Sequence, residues 1–569
     1  MKSTRLLLPS LANYESKWLS RDVLAGIVLS ALLVPQGMAY AELAGLPAVT
    51  GLYTSILCLI GYALVGPSRI LVLGPDSSLG PMIAATVLPL MVADGDPTKA
   101  VVMASMLAIL TGVIMIVSGL GGMGFIADLL SRPTILGYMN GLALTILVGQ
   151  LPKLLGFSVD AEGFFPEVVG FVQGVVQGEA MPAAAAVGVF SLLLILILTR
   201  VMPRLPAVLV AAIAAIMLSV GFDLAGRGVP VVGALVQGLP HFSVPLMELQ
   251  DIGVLFVGAV GISLVALADT IGTATVFAER QSERVDGNRE MIGIGVANVA
   301  AGLFQGFPVS TSGSRTAVAE RAGARTQVTG LIGAGMIALM LVAFPDLLAD
   351  LPQATLGAIV IAASLSLADI GGMRRLYRQR RTDFIIGTAA FLGVVLLGVL
   401  PGIVVAVALS VAMVFKRIWR PYRATLGQVP GLPGLHDMTN YPDAQTLDGC
   451  VVLRFDAPLI FANAGALRDD VHEIADRNPQ PLWIVIAAEP ITDVDTTACD
   501  MLEDLTVELD EQGVRLVFAE LKTSPRQKLE QYGLEHVLDS SRFYPTIRAA
   551  TDDFRSTTGQ EWTGQHQRD

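Results

Sequence analysis

Charged residues are scarce in this sequence, and their scarcity excludes an ordinary water-soluble protein. They make up 15% of the 569 residues, whereas 53% of the residues are hydrophobic. A typical soluble protein carries about 25% charged residues. The mean hydropathy is +0.64, so the chain has more apolar surface than a folded interior can enclose. We therefore expect it to be embedded in a lipid bilayer.

Cysteine and histidine are also rare, which excludes several kinds of site. Cys58 lies in an apolar stretch, and Cys450 and Cys499 have no paired spacing, so no disulfide framework or zinc motif is present. The five histidines are His241, His436, His472, His536 and His566. All five fall outside the apolar stretches, which excludes a histidine-based metal site within the membrane. The sequence also lacks a P-loop and a nucleophile elbow, so we expect no enzymatic activity and no cofactor.

The acidity of the chain belongs to its C-terminal part. The formal net charge is −12, but residues 430–569 contain 25 Asp and Glu against 11 Lys and Arg, a net charge of −14. The preceding part therefore carries a net charge of +2. A low isoelectric point thus says nothing about the field inside a membrane pore, because local groups set that field.

Fourteen apolar stretches are candidate membrane spans, each of which needs roughly 20 apolar residues. The first series comprises 22–42, 50–66, 77–92, 98–120, 123–150, 183–201 and 205–222, with a kink expected at Pro133. The second series comprises 251–278, 290–304, 312–322, 326–345, 353–370, 382–400 and 401–419.

Two of these stretches, 77–92 and 312–322, are too short to cross a bilayer alone. They follow the extended apolar runs RILVLGP and GLFQGFP, so each pair is predicted to be a strand that enters a half-helix. Irregular backbone at membrane depth is tolerated only where protein or a watery cavity surrounds it. A binding site is therefore predicted at these two segments.

The distribution of basic residues predicts the orientation in the membrane. Basic connections at 200–204, 280–289, 321–325 and 374–381 alternate with acidic or neutral ones at 92–96, 157–167 and 222–250. This alternation places both termini in the cytoplasm, with 374–381 as a solvated positive loop. The N-terminus lacks an apolar region followed by a cleavage site, so no removable signal peptide is expected.

The composition changes beyond Trp419. Short apolar runs at 451–455, 482–487 and 514–520 are predicted strands, and amphipathic stretches at 464–476 and 496–512 are predicted helices. Such alternation is typical of a small α/β domain. The predicted organisation is a cytoplasmic segment 1–21, a transmembrane domain 22–419 with repeats 22–222 and 251–419, an α/β domain 430–555, and a polar tail 556–569.

An internal repeat appears at the two short segments. The sequence PDSSLG at 75–80 matches PVSTSG at 308–313 as P-x-S-[ST]-x-G. About seven spans separate the copies, which would invert the second relative to the first. Two half-helix N-termini would then face each other, and their free N–H groups and dipoles form an anion site. The candidate capping and binding hydroxyls are those of Ser77, Ser78, Thr311 and Ser312.

Arg315 is the one full positive charge that the repeat brings, since Met82 holds the corresponding position of the first copy. Its place near the helix start predicts midplane depth, where an ionisable group is a candidate functional residue. The alternative is a cation that reaches the cytoplasmic headgroups. Asp76 is predicted to cap a helix that begins at Ser77.

Two further acids lie within predicted spans. Asp269 and Thr273 share one helix face and are candidates for binding Na⁺ or a proton, or for a structural hydrogen bond to the helix of Arg315. We expect Arg315 to lie near Asp269 and keep it ionised. Glu42 has no evident cationic partner in the sequence, so it is either a proton carrier or a carboxylate at the outer interface.

Several long motifs resemble a known family. The segments LVPQGMAYAELAGLPAVTGLYTS at 33–55, SRPTILGYMNG at 131–141 and GFPVSTSGSRTAVAERAGARTQ at 306–327 resemble signatures of the sulfate permease (SulP) family. The segments DAPLIFANAGAL at 456–467 and DVDTTACDML at 493–502 are similar to the STAS domains that end such proteins.

The resemblance implies a fold and a site. The fold is a polytopic all-α membrane protein with about fourteen spans in two inverted repeats of seven, divided into a core and a gate domain, and a cytoplasmic α/β STAS domain. The implied anion site comprises Gln36, Tyr40, Ser77, Ser314 and Arg315. Tyr40 stands where many relatives have Phe.

Two other family features bear on this chain. The D-x₃-T pattern of Asp269 and Thr273 resembles a cation site of bacterial members. In the STAS domain, Asp495-Thr496-Thr497-Ala498 replaces the D-S-S-G of relatives that carry a phosphorylatable serine. A phospho-switch is therefore not predicted for this chain.

The predicted function is secondary active transport of a small anion (sulfate, bicarbonate or a dicarboxylate such as fumarate) coupled to H⁺ or Na⁺. The resemblance implies elevator movement and a homodimer in a bacterial plasma membrane, with no nucleic-acid partner. An uncoupled anion exchanger or channel on the same fold is the main alternative. A nucleobase transporter is disfavoured by Arg315, and fourteen spans are more than the anchor of a signalling module needs.

Overall fold

The computed structural model describes residues 14–91, 97–124, 131–159, 161, 163–202, 205–247, 249–280 and 284–563. Several predicted segments lie wholly or partly outside this range. They are the N-terminal segment up to residue 13, the acidic connection 92–96, residues 125–130 of the stretch 123–150, residues 160, 162, 203–204, 248 and 281–283 of the connections, and the end of the tail from 564. The described chain forms two compact units that divide between Ser410 and Val411.

The first unit is helical. Its first eight helices are α1 (Leu19–Leu43), α2 (Ala48–Val65), α3 (Gly80–Val87), α4 (Pro97–Leu120), α5 (Arg132–Leu154), α6 (Phe164–Val176), α7 (Pro182–Val201) and α8 (Ala207–Gly221). The next eight are α9 (Leu249–Arg280), α10 (Gly287–Gly302), α11 (Gly313–Ala322), α12 (Val328–Ala343), α13 (Gln353–Leu367), α14 (Ile370–Gln379), α15 (Arg381–Leu397) and α16 (Val399–Trp419).

A helix lies at each of the fourteen predicted stretches, and within the described residues eight helices are long and apolar enough to cross a membrane. The multi-pass character predicted from composition is thereby confirmed. The helices α6 and α14 were not predicted. They fall in the connections 157–167 and 374–381, where the sequence suggested loops.

The basic connection at 374–381 is mostly helical, which corrects its prediction as a loop. Arg374, Arg375 and Arg378 are exposed on α14, while Leu376 is buried. The Asp369 carboxylate caps the helix by accepting a hydrogen bond from the N–H of Gly372 at 2.7 Å. One apolar face and a cap stabilise a helix here, so the positive charges remain solvated, as predicted, but not in a loop.

The predicted kink at Pro133 is also wrong. Helix α5 begins at Arg132, so Pro133 occupies its first turn. Proline is tolerated there because the first N–H groups of a helix have no intrahelical partner. The Ser131 hydroxyl caps this start, accepting from the N–H of Thr134.

The helices pack in two groups. In the first, α4 lies along α10, α2 packs against α10 and α12, and α1 packs against α2 and α12. In the second, α5 packs against α13 and α15, and α7 against α8 and α13. Glycines allow the closest approaches: a Cβ at Gly51 would lie 1.9 Å from the carbonyl oxygen of Gly37, and one at Gly137 would lie 1.9 Å from that of Gly387.

Two short strands join the halves of the first unit. Strand β1 (Leu73–Gly74) pairs antiparallel with β2 (Ser310–Thr311), with Leu73 opposite Thr311. Each strand leads into a short helix, α3 or α11. The predicted entry of a strand into a half-helix is therefore confirmed, but the second strand is misplaced: the predicted run 302–308 begins with the end of α10 and a turn at 303–305, and β2 follows it.

The second unit is an α/β domain. Its helices are α17 (Ala464–Ala475), α18 (Thr496–Glu511), α19 (Thr523–Gln531) and α20 (Ile547–Thr558). Its strands are β3 (Arg423–Gln428), β4 (Leu435–Asp437), β5 (Thr446–Leu447), β6 (Cys450–Phe455), β7 (Trp483–Ala487), β8 (Arg515–Ala519), β9 (Phe543–Tyr544) and β10 (Trp562–Thr563).

The sheet order is β10-β5-β6-β7-β8-β9, with β6 to β9 parallel and β3 paired with β6. The three predicted strands and two predicted helices coincide with β6, β7, β8, α17 and α18. The sheet starts at Arg423, ahead of the predicted boundary at 430, and its strand β10 lies within the predicted polar tail.

Candidate functional site

A capped turn precedes α3. The Asp76 Oδ1 atom accepts hydrogen bonds from the N–H of Ser78 at 3.0 Å and from its hydroxyl at 2.8 Å. Helix α3 begins at Gly80, so the prediction of a helix starting at Ser77 is wrong. The carbonyl of Asp76 accepts from the N–H groups of Leu79 and Gly80, which closes a separate turn first, and Pro81 then occupies the first helical turn.

The start of α11, in contrast, has no side-chain cap. Its N-cap, Ser312, makes no side-chain capping bond, and its hydroxyl instead contacts that of Ser314 at 3.1 Å. The Thr311 hydroxyl donates to that of Thr270 on α9 at 3.1 Å. The first N–H groups of an α-helix have no intrahelical partner. This end therefore has donors available for an anion.

Arg315 is the central charge of this region. Its side chain is only 1% exposed, and its Nη2 atom lies 3.1 Å from Oδ2 of Asp76. Its Nη1 atom is buried without a hydrogen-bond partner among the described residues. A Cβ at Gly74 would lie 2.4 Å from Nη1, so only glycine leaves room for the guanidinium. The group points into the protein and not to an exposed surface.

Asp269 approaches the site from α9. Its Oδ2 atom accepts a hydrogen bond from the Ser78 hydroxyl at 3.1 Å. The expected pairing with Arg315 is not what the structure shows, because the salt bridge of Arg315 is with Asp76. The hydrogen bond of Asp269 is likewise to the turn before α3 and not to the helix of Arg315. Thr273 lies beside the start of α11, where a Cβ on Gly313 would be 3.8 Å from its hydroxyl.

Helix α1 contributes the remaining residues implied by the resemblance. Tyr40 is 5% exposed and lies near Ser77, Asp76 and Arg315. One turn earlier, Gln36 has a buried side-chain oxygen without a partner among the described residues. The structure therefore brings α1, the turn before α3, α9 and α11 together around one guanidinium.

Glu42 lies apart from this cluster. Its Oε2 atom accepts a hydrogen bond from Nζ of Lys153 on α5 at 2.9 Å. The inference that Glu42 has no cationic partner is therefore wrong. The two residues are 111 positions apart, and they meet because α1 and α5 both pack against α13.

The sequence did not predict the roles of two residues of the site, Asp76 and Gly74. Asp76 was expected only as a cap, yet it also forms the ion pair of Arg315. No sequence pattern indicated that Gly74 lies against Arg315. One signal was present: at the second motif position the first copy has Asp76, whereas the second copy has the apolar Val309.

The arrangement combines hydroxyl groups, two half-helix starts and a buried guanidinium. Such groups are hydrogen-bond donors for an anion at a helix N-terminus. The chemistry is that of reversible binding.

Comparisons with known proteins agree with the motifs. The chain matches the sulfate permease family over residues 19–390 and the STAS domain over residues 441–550. It is 40% identical to the "Probable sulfate transporter Rv1739c" of Mycobacterium tuberculosis over 95% of this chain and 96% of that protein. It is 28% identical to "Probable sulfate transporter 4.2" of Arabidopsis thaliana over 93% of this chain and 80% of that one.

Solved structures share the fold. Murine Slc26a9, an anion transporter in the inward-facing state, superimposes with a TM-score of 0.88 at 22% identity, over 97% of this chain and 94% of that one. The transmembrane domain of the cyanobacterial bicarbonate transporter BicA gives a TM-score of 0.61 at 22% identity, over 69% of this chain and 98% of that one.

These comparisons confirm the resemblance drawn from the motifs. The matched family and the similar proteins are transporters, so the expectation of a non-enzymatic protein is confirmed as well. The family match covers more than half of the chain, and the C-terminal match falls on the α/β domain. The chain belongs to the sulfate permease family and ends in a STAS domain.

Proposed function

We propose that this protein is a secondary active transporter of small anions, which bind between the starts of α3 and α11. The observation that carries the proposal is Arg315, a buried guanidinium with one nitrogen that has no hydrogen-bond partner in the part of the chain that the structure describes. A buried charge is costly unless it is paired, so such a residue is retained where it serves a function. Ser77, Ser78, Thr311, Ser312 and Ser314 supply hydroxyl donors beside it, with Gln36 and Tyr40 on the α1 side.

The substrate we propose is sulfate. The names of the similar proteins from Mycobacterium tuberculosis and Arabidopsis thaliana support it. Bicarbonate, which BicA transports by its name, and dicarboxylates such as fumarate are the competitors to compare. Neutral donors and one arginine select for negative charge more than for a particular anion.

Coupling to a cation is the second part of the proposal. Asp269 and Thr273 flank the two half-helix starts, and a carboxylate with a hydroxyl oxygen suits Na⁺ or a proton. Glu42 is the further candidate for a proton carrier. In this role its carboxylate would release Lys153 and bind a proton instead. An uncoupled exchanger or channel would use the same anion site without these acids.

The movement we propose is of the elevator type, in a homodimer. The packing supports two inverted repeats of seven spans: α4 against α10 has its counterpart in α12 against α2, and α5 against α15 in α13 against α7. We assign α1–α4 with α9–α12 to the core and the other helices of residues 22–419 to the gate. The proposed location is a bacterial plasma membrane, with both termini and the STAS domain in the cytoplasm.

Uptake of radiolabelled sulfate into proteoliposomes tests the function. Arg315→Ala should abolish uptake, since a desolvated charge-assisted contact is worth about 2 kcal/mol or more. Arg280→Ala is the matched control, because Arg280 pairs with Glu320 at an exposed position. Imposed H⁺ and Na⁺ gradients separate a coupled transporter from an exchanger or channel. Unchanged apparent affinity in Arg315→Ala would disprove the site.

A further inference from the structure

The carboxylate of Asp76 makes the contacts that the transported anion is expected to make. Its Oδ1 atom accepts from a backbone N–H and a hydroxyl at the start of the α3 segment. Its Oδ2 atom accepts from the guanidinium of Arg315. A backbone donor, a hydroxyl and an arginine are the three kinds of donor that bind an anion at a helix start. A negative group of the protein itself thus lies where the anion site is proposed.

The charge balance shows what this arrangement does. The groups that face Asp76 are Arg315 from α11, Asp269 from α9 through the Ser78 hydroxyl, and Tyr40 from α1. When both acids are ionised, this cluster carries one positive and two negative charges. An entering anion is then repelled by the cluster as a whole, unless one carboxylate is neutralised or moves away.

The Ser78 hydroxyl links the two acids, but it has a single proton to donate. It lies 2.8 Å from Oδ1 of Asp76 and 3.1 Å from Oδ2 of Asp269. A hydroxyl satisfies only one of two ionised acceptors at a time. One of the two carboxylates therefore lacks this donor at any time, and removing the charge of Asp76 removes that competition.

We infer that Asp76 is a specificity-determining residue that competes with the transported anion for Arg315, and that neutralising its carboxylate releases the guanidinium to the substrate. The inference rests on the proposed anion site at Arg315.

Sulfate binding, measured on the purified protein without transport, tests the role of Asp76. The detergent-purified full chain is titrated with sodium sulfate at pH 8 and constant ionic strength, with sodium gluconate as the control salt. Its melting temperature is recorded at each sulfate concentration. Asp76→Asn keeps the side-chain oxygen that caps Ser78 and removes the charge. Asp76→Ser is a second uncharged variant with a capping oxygen, in case the first does not fold.

We expect both variants to melt at a lower temperature without sulfate, since Arg315 loses its partner, and to be stabilised more by sulfate than the parent. Sulfate affinity at pH 8 should rise about tenfold or more.

A purely structural Asp76 gives a different result. The variants would then melt at a lower temperature with the same sulfate-dependent shift as the parent, which would overturn the inference. If the parent itself shows no sulfate-dependent shift, or Arg315→Ala retains it, then the anion site fails and this inference fails with it. If the parent binds through Arg315 and only the Asp76 variants bind no more tightly, this inference alone fails.

Discussion

The two half-helices share a motif and each begins at its last glycine, Gly80 or Gly313, but their starts differ in charge and in side-chain capping. The turn before α3 is closed by the side chain of Asp76, whereas the N-cap of α11 makes no side-chain capping bond. The first copy brings a carboxylate and the second brings the guanidinium of Arg315, and these two charges pair with each other. The internal repeat therefore supplies two short helices that begin at equivalent positions. The residues that differ between its copies give the two helix starts opposite charges.

One helix contacts both starts through neighbouring residues. On α9, Asp269 accepts from Ser78 of the first copy, and Thr270 accepts from Thr311 of the second. These hydrogen bonds hold the two copies in one arrangement. The comparison predicts that substitutions at equivalent positions of the two copies have unequal effects.

The largest difference is expected at the glycines of the two junctions. Gly74→Ala would place a methyl group 2.4 Å from Nη1 of Arg315, whereas Gly313→Ala meets only Thr273 at 3.8 Å. Displacing the guanidinium should lower sulfate affinity by about tenfold or more in Gly74→Ala. Gly313→Ala should transport nearly as well as the parent. Equal uptake kinetics in proteoliposomes for the two variants would show that Arg315 is not held by this contact.

The second difference concerns the two neighbours on α9. Asp269→Asn removes a charge beside the first junction and should abolish the response of uptake to an imposed Na⁺ or H⁺ gradient. Thr270→Val removes only the hydroxyl that joins the second junction, and should weaken uptake modestly, since a neutral hydrogen bond is worth about 1 kcal/mol. Uptake with and without each gradient distinguishes them. Retention of the gradient response in Asp269→Asn would exclude this residue from coupling.

A smaller effect is expected at Glu42, which lies outside both junctions. If Glu42 carries a proton, Glu42→Gln should lose accumulation driven by a pH gradient and retain anion exchange. Lys153→Gln, which removes the partner at 2.9 Å, should keep the pH-driven accumulation. If the two variants behave alike in uptake at several external pH values, then Glu42 serves only as an ion-pair partner.

The smallest effect on substrate selection is expected from the STAS domain. Every candidate site residue precedes Trp419, so a chain that ends before Arg423 should show an unchanged order of competing anions. Its rate or its yield in the membrane should fall. The sheet begins at Arg423, which makes this a cleaner deletion than one at 430. A changed order of competition between sulfate, bicarbonate and fumarate would show that the domain contributes to selectivity.

The sequence by itself determined the elements and the family of this protein. Apolar stretches of span length predicted the helices, because a chain in lipid must satisfy its backbone hydrogen bonds within each segment. Alternating strands and helices after Trp419 predicted the α/β domain, and the repeated P-x-S-[ST]-x-G motif predicted where two half-helices begin. These properties depend on local composition and spacing, which can be seen in one stretch of chain at a time.

Only the tertiary structure decided which charges meet. Asp76 and Arg315 are 239 residues apart, and Glu42 and Lys153 are 111 apart. The sequence suggested Asp269 as the neighbour of Arg315 and left Glu42 without a cation. Ion pairs between distant segments are set by how helices pack and how β1 and β2 align, and a one-dimensional pattern carries no measure of those distances. The same backbone pairing that brings the two motifs together therefore decided that Asp76, and not Asp269, pairs with the arginine.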